Sequence, residues 1–227
     1  MTTVEEVTLW VHVVTGFLAL FAGVGAFATK KGGRRHRLFG RTYVYTMAVV
    51  SGTALVLYPL GPNFSRLFLA LVAVFSFYFA FSGYRALSRK RPADDPQTVD
   101  WLAVGLYGVA SLGLVAMGGS LFAAGNGFAT VLLVFGGIGV VFTVSDLRGF
   151  RRDTEPGEWV SAHVTRMGGA YVATVSAFSA VNMDFLPSVL PWLWPTLVGT
   201  PLLVYAVGRY ERRFAPGKRE SSGESAD

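Results

Sequence analysis

The chain has 227 residues and a net charge of +6; 52% of its residues are hydrophobic, only 15% are charged, and none is cysteine. Soluble domains carry about 25% charged residues, so this composition argues against an ordinary soluble enzyme and against intrinsic disorder. The absence of cysteine excludes disulfides, thiolate metal sites, iron–sulfur clusters and cysteine nucleophiles.

Seven apolar stretches predict seven membrane-spanning helices, because one span needs about 20 mostly apolar residues. In chain order they are 8–29, 42–61, 66–87, 100–123, 128–148, 161–183 and 187–208. Several are rich in Gly and Ala, which suits close helix packing in lipid. The sequence therefore predicts an all-α polytopic membrane protein, with a single seven-helix bundle over residues 1–214 and a disordered, polar cytoplasmic tail over residues 215–227.

The basic residues predict the orientation of this bundle. Of the 20 Lys and Arg residues, 18 lie in the connections after the first, third and fifth stretches and in the segment after the seventh. The other connections contain only Arg66. Because Lys and Arg mark the cytoplasmic side, we expect a multi-pass plasma-membrane protein with its N-terminus outside and its C-terminus in the cytoplasm. The same charge favours contact with anionic lipid headgroups at the cytoplasmic face, and not with nucleic acid.

His12 is an ionisable residue near the outer end of the first stretch, where such groups are costly. At helical spacing it shares a stripe with the small residues Gly16, Ala19, Gly23 and Ala26, so we expect it to face another helix and not lipid. Two interpretations remain open: a proton-handling or ligand-binding group, or a neutral histidine that is hydrogen-bonded to a neighbouring helix.

Five further polar residues reach the cytoplasmic leaflet together. His163 and Arg166 are three apart at the start of the sixth stretch, so they share a helix face that suits an anionic group; alternatively, Arg166 snorkels to the interface. Asp146 closes the fifth stretch and is the natural counter-charge for Arg166. His36 and Arg37 lie in the basic connection after the first stretch. The sequence predicts that these groups form one pocket for a phosphate, a carboxylate or a metal.

The histidine positions limit the metal chemistry. His12 and His163 belong to opposite faces of the membrane, so they cannot bind one metal. His36 and His163 can pair, but the apparent position of His36 on a charged loop argues against a bis-histidine haem, whose ligands need rigid helices. His36, Asp146 and His163 have suitable ligand types but contain no local ligand pair. The sequence requires neither haem nor a divalent metal.

Three segments together resemble a known family. They are His12 with Gly16 and Gly23, the run HRLFGRTY at 36–43, and the run HVTRMGGAY at 163–171. With this set the chain resembles the prokaryotic predicted membrane proteins that form domain of unknown function 2306. The resemblance covers nearly all of the chain except the tail. It implies a polytopic membrane protein with histidines in these places, and it implies no particular chemistry.

The function that these features favour is binding or transport of a small anionic ligand or protons, at a polar pocket on the cytoplasmic side. The alternative is a membrane-embedded redox enzyme that uses a metal or haem. The sequence leaves open whether the protein is an enzyme.

Overall fold

The computed structural model describes residues 2–91, 93–153, 155, 157–187 and 189–214. The described residues form seven α-helices and one short 3-10 turn, and they contain no β-strand, which confirms the all-helical prediction. The predicted tail, 215–227, lies outside the described residues. The helices are α1 (Thr3–Ala28), α2 (Arg34–Leu60), α3 (Phe64–Arg85, followed by the turn Ala86–Ser88), α4 (Thr98–Ala123), α5 (Ala129–Gly149), α6 (Glu158–Asn182) and α7 (Leu190–Phe214).

Six of these helices are long and apolar enough to cross a membrane, and α6 is the exception. With 25 residues α6 is as long as α7, but its mean hydropathy is lowered by polar side chains. Three of them, Arg166, Ser176 and Ser179, are buried inside the protein. Mean hydropathy averages over all faces of a helix. It is therefore low for a helix whose polar side chains point into the protein, even when the outward face is apolar.

Three helix hairpins surround α3. The helix α1 packs along α2, α4 along α5, and α6 along α7, while α3 packs mainly against α2, α4 and α6 and also contacts α5. Accordingly, half of the most apolar window of α3 is buried, against 17% of the corresponding windows of α1 and α7. The outer helices expose large apolar side chains such as Trp10, Phe21 and Leu202, which is the surface expected where lipid is the solvent.

The connections alternate between two ends of the bundle. Those between α1 and α2, α3 and α4, and α5 and α6 lie at one end, which we call the basic end. The opposite end carries Arg66, which pairs with Glu5 of α1. The charge alternation in the sequence thus corresponds to the two ends of the folded bundle. The basic residues of the three connections and of the helix turns beside them are Lys30, Lys31, Arg34, Arg35, Arg37, Arg85, Arg89, Lys90, Arg91, Arg148, Arg151 and Arg152.

The helix α2 begins at Arg34, well before the predicted start at residue 42. Gly32 has a φ of 73°, a left-handed conformation that glycine adopts without strain, and it turns the chain just ahead of the helix. His36 and Arg37 therefore lie in the first turn of a 27-residue helix, and the expectation of a charged loop was wrong. Hydropathy detects only the part of a helix that matches the bilayer core, whereas a helix can continue past it as a polar turn.

Candidate binding site at the basic end

Asp146 is the ionic partner of Arg166. The Nη2 atom of Arg166 donates to Oδ1 of Asp146 at 2.5 Å, which joins α6 to α5. The second carboxylate oxygen accepts a hydrogen bond from the hydroxyl of Tyr78 on α3. The side chains of Arg166 and Asp146 are only 8% and 17% exposed. Arg166 therefore points into the bundle instead of snorkelling, and one carboxylate ties three helices together.

Aromatic rings enclose this guanidinium. Its Cζ atom lies 4.2 Å from the ring centre of Phe142 and 5.5 Å from that of Phe79, close enough for a cation–π attraction of about 0.5–2 kcal/mol. The ring of Tyr78 stacks on Tyr107, with centres 4.1 Å apart and planes at 14°. The Nη1 atom of Arg166 is buried and makes no hydrogen bond within the described part of the chain. The cation is thus fixed by rings and by one carboxylate.

His36 and His163 form a second grouping. Their ring centres are 6.4 Å apart, and the ring planes meet at 78°. The Nδ1 atom of His36 lies 3.0 Å from the carbonyl oxygen of Ala26 on α1, and that of His163 lies 2.8 Å from the carbonyl oxygen of Gly83 on α3. A carbonyl oxygen only accepts, so each Nδ1 carries a proton, and in the neutral form of each ring the lone pair is on Nε2. Metal-binding histidines are oriented by the same kind of hydrogen bond.

His12 lies apart from both groupings. Its Nδ1 atom is 3.1 Å from the carbonyl oxygen of Val50 and 2.9 Å from the hydroxyl of Thr53, both on α2. Ala26, which contacts His36, is 14 residues further along α1, or about 21 Å at 1.5 Å per residue. The predicted separation of the histidines is therefore present, and His12 is hydrogen-bonded to a neighbouring helix, as one of its two interpretations requires.

The contacts among the predicted residues fall into two groupings, Asp146 with Arg166 and His36 with His163. No hydrogen bond, ion pair or ring contact among the described residues joins Asp146 or Arg166 to His36 or His163. Both groupings lie beside Gly83 of α3: the Nδ1 atom of His163 lies 2.8 Å from its carbonyl oxygen, and a Cβ atom added at Gly83 would lie 2.9 Å from the Cβ of Arg166. Arg37 is exposed and forms no ion pair with the described residues. The binding roles of these residues and of His12 stay predictions.

A cavity of about 460 Å³ lies between α3, α5, α6 and α7. Its volume is within the range of small-molecule sites, but its wall is mostly apolar, with Thr165, Thr196 and Thr200 as its hydroxyl groups. Phe79 and Phe142 belong to this wall and also contact the Arg166 guanidinium. The cavity therefore differs from the polar pocket predicted from the sequence.

Sequence reasoning missed Tyr78 and Tyr107 because it weighed only charged groups and histidines. A signal for Tyr78 was present, since a tyrosine hydroxyl within an apolar stretch usually needs a partner. The acceptors of His36 and His163 are backbone carbonyls, which carry no sequence signal.

The comparisons with known proteins agree with a membrane location. Residues 9–102 match the family model of a predicted membrane protein, DUF2306. The resemblance that the motifs indicated is confirmed over these residues, which include His12, His36 and Arg37. The match covers less than half of the chain, and Asp146, His163 and Arg166 lie beyond it. Searches of curated proteins and of solved structures find no match. The protein is thus an all-helical membrane protein with several apolar spans.

Proposed function

We propose that this chain is a seven-span plasma-membrane protein of the binding or transport type, which holds a small ligand at its basic end between His36 and His163. One observation supports the proposal: two histidines from distant helices lie with their ring centres 6.4 Å apart, and a backbone carbonyl holds each ring at Nδ1. Histidines that bind a metal are oriented in this way, by a hydrogen bond from the other ring nitrogen.

The orientation that we propose puts the basic end in the cytoplasm. Positive charge collects at that end, as the positive-inside rule requires, and it would meet the anionic headgroups of the inner leaflet. The helix α6 serves as the seventh span, because its length matches the other helices and its polar side chains are buried. The N-terminus is then outside and the C-terminus is cytoplasmic.

The Asp146–Arg166 pair has a supporting role in this proposal. It ties α5 and α6 to Tyr78 of α3, and so it fixes the helix that carries His163. Arg34, Arg35 and Arg37 lie on the same first turn of α2 as His36 and add positive charge to that turn. That charge favours a ligand with anionic groups.

The topology is testable with single cysteines, because the chain has none of its own. We expect Asn126→Cys and Asp184→Cys, at the opposite end, to react with a membrane-impermeant maleimide in intact cells. Ser88→Cys, at the basic end, should react only after the membrane is permeabilised. All three positions are exposed. Labelling of Ser88→Cys in intact cells would contradict the orientation. Protection of Asp184→Cys alone would show that α6 does not span.

The binding site is testable without knowing the ligand. Native mass spectrometry of the purified protein should detect a non-covalent adduct that is absent from His36→Ala and His163→Ala. His12→Ala is the matched control, since its ring is also held by a carbonyl at Nδ1 but lies at the opposite end. We expect this variant to keep the adduct. An adduct that all three variants retain, or that the wild-type protein lacks, would refute a ligand site between His36 and His163.

A further inference from the structure

The geometry of the histidine pair points to a particular class of ligand. We propose that His36 and His163 are the two axial ligands, through Nε2, of one metal ion held in a planar anionic macrocycle such as an iron porphyrin. This inference rests on the proposed function, because it names the occupant of the same site. It concerns binding alone and assigns no reaction to the bound group.

The distance between the ring centres of His36 and His163 can be compared with the distances expected for two arrangements of metal ligands. A metal–nitrogen bond of about 2.0 Å places an imidazole centre about 3.2 Å from the metal, so rings on opposite sides of one metal have centres about 6.4 Å apart. Two imidazoles at a tetrahedral angle would have centres only about 5 Å apart. The observed value is 6.4 Å. The ring separation of 6.4 Å thus matches two ligands on opposite sides of one metal more closely than two corners of a tetrahedral zinc site.

The two ligands are also on rigid supports. His36 belongs to the first turn of α2 and His163 to α6, and their Nδ1 atoms are anchored on α1 and α3. Four helices thus fix the two rings. Deeper in the bundle α2 and α6 are joined again, by a hydrogen bond of 2.9 Å between the hydroxyls of Tyr43 and Thr174. The objection that His36 lies on a loop does not hold for the folded chain.

The surroundings disfavour a bare metal cation. No group of three His, Asp or Glu side chains among the described residues could hold a metal, so a bare ion would have two protein ligands. Glu158, which precedes His163 on α6, already forms an ion pair with Arg152. Lys90 lies 4.8 Å from the ring centre of Trp159 on the same turn of α6. A macrocycle supplies the four remaining ligands and negative charge of its own.

The positive charge around His36 suits the edge of such a macrocycle. Arg34, Arg35 and Arg37 lie on the same helical turn as His36 and are exposed. Arginine binds carboxylates through paired hydrogen bonds. A macrocycle with carboxylate side groups would present them to these arginines at the basic end while its metal lies between the imidazoles.

The experiment uses the full chain, purified in mild detergent with an affinity tag that contains no histidine and reconstituted with haemin. We expect about one haemin per chain, with the absorption spectrum of a low-spin, six-coordinate haem. His36→Ala and His163→Ala should weaken haemin binding by at least about tenfold, and His12→Ala should bind as the wild type does. Metal-free protoporphyrin, which has the same carboxylates, should bind at least about tenfold more weakly than haemin if axial ligation holds the ring.

A methionine variant keeps the inference testable if an alanine variant fails to fold. His36→Met keeps an axial ligand, so it should retain haemin and shift the spectrum towards that of a histidine–methionine pair. Equal binding of haemin and metal-free protoporphyrin, or full retention of the wild-type spectrum in His36→Ala, would overturn the inference. A histidine-dependent adduct in native mass spectrometry that contains no porphyrin would overturn it too, while leaving the proposed function standing. Absence of both the adduct and haemin binding would overturn the two together.

Discussion

Asp146→Asn should destabilise the bundle by about 3 kcal/mol, the lower end of what it costs to remove one partner of a buried ion pair. The substitution keeps the size of the side chain but leaves the Arg166 guanidinium uncompensated between Phe142 and Phe79. At roughly 2–4 °C per kcal/mol for a chain of this size, the Tm in detergent should fall by roughly 6–12 °C. Thermal unfolding followed by intrinsic fluorescence measures this change.

Two further variants identify the origin of that loss. The double variant Asp146→Leu with Arg166→Met removes both charges, so it should be more stable than either single charge removal. Tyr78→Phe removes one hydrogen bond to Asp146 and keeps the stacking on Tyr107, so it should cost only about 1 kcal/mol. If the double variant is as unstable as the sum of its single variants, the pair contributes no coupling and the explanation fails.

The apolar stretches predicted most of the fold because lipid imposes a strong constraint on length and composition. Six of the seven predicted spans correspond to helices that are apolar enough to cross a membrane. The ends of the helices were less predictable, since α2 extends to Arg34 in a segment that reads as a charged loop. The helix α6 shows a related limit: its buried Arg166, Ser176 and Ser179 lower the hydropathy of a helix that packs in the same way as its neighbours.

The site was predictable where topology alone decides proximity. Asp146 ends α5 and Arg166 lies near the start of α6, so a short connection brings them to the same end, and charge predicts their pairing. The pairing of His36 with His163 depends on how two hairpins pack against α3, and local spacing contains no information about that. Anchoring of each ring depends on a particular backbone carbonyl. For that reason the sequence suggested one mixed set of contacts, whereas in the folded chain these residues form an ion pair and a histidine pair.

A substitution at Gly83 tests the packing of α3 against α6 directly, because the two helices approach each other there. A Cβ atom on Gly83 would lie 2.9 Å from the Cβ of Arg166 and 2.9 Å from the backbone nitrogen of Met167. Backbone cannot move aside as a flexible side chain can, so Gly83→Ala should push α6 away from α3. The same substitution should disturb the hydrogen bond from His163 to the carbonyl of Gly83. One methyl group thus affects both the helix contact and the orientation of the histidine.

We expect Gly83→Ala to lower the free energy of unfolding by about 1–3 kcal/mol, as insertion of a methyl group into a packed contact does, even though alanine favours helix by about 1 kcal/mol relative to glycine. Gly105→Ala is the matched control, because a Cβ on Gly105 of α4 has no neighbour within 4 Å; its Tm should stay the same or rise. Thermal unfolding of the two variants in one detergent makes the comparison. Equal Tm values for both variants would mean that α3 and α6 do not approach as closely at Gly83 as the structure places them. The hydrogen bond from His163 to the carbonyl oxygen of Gly83, which depends on the same approach, would then be contradicted as well.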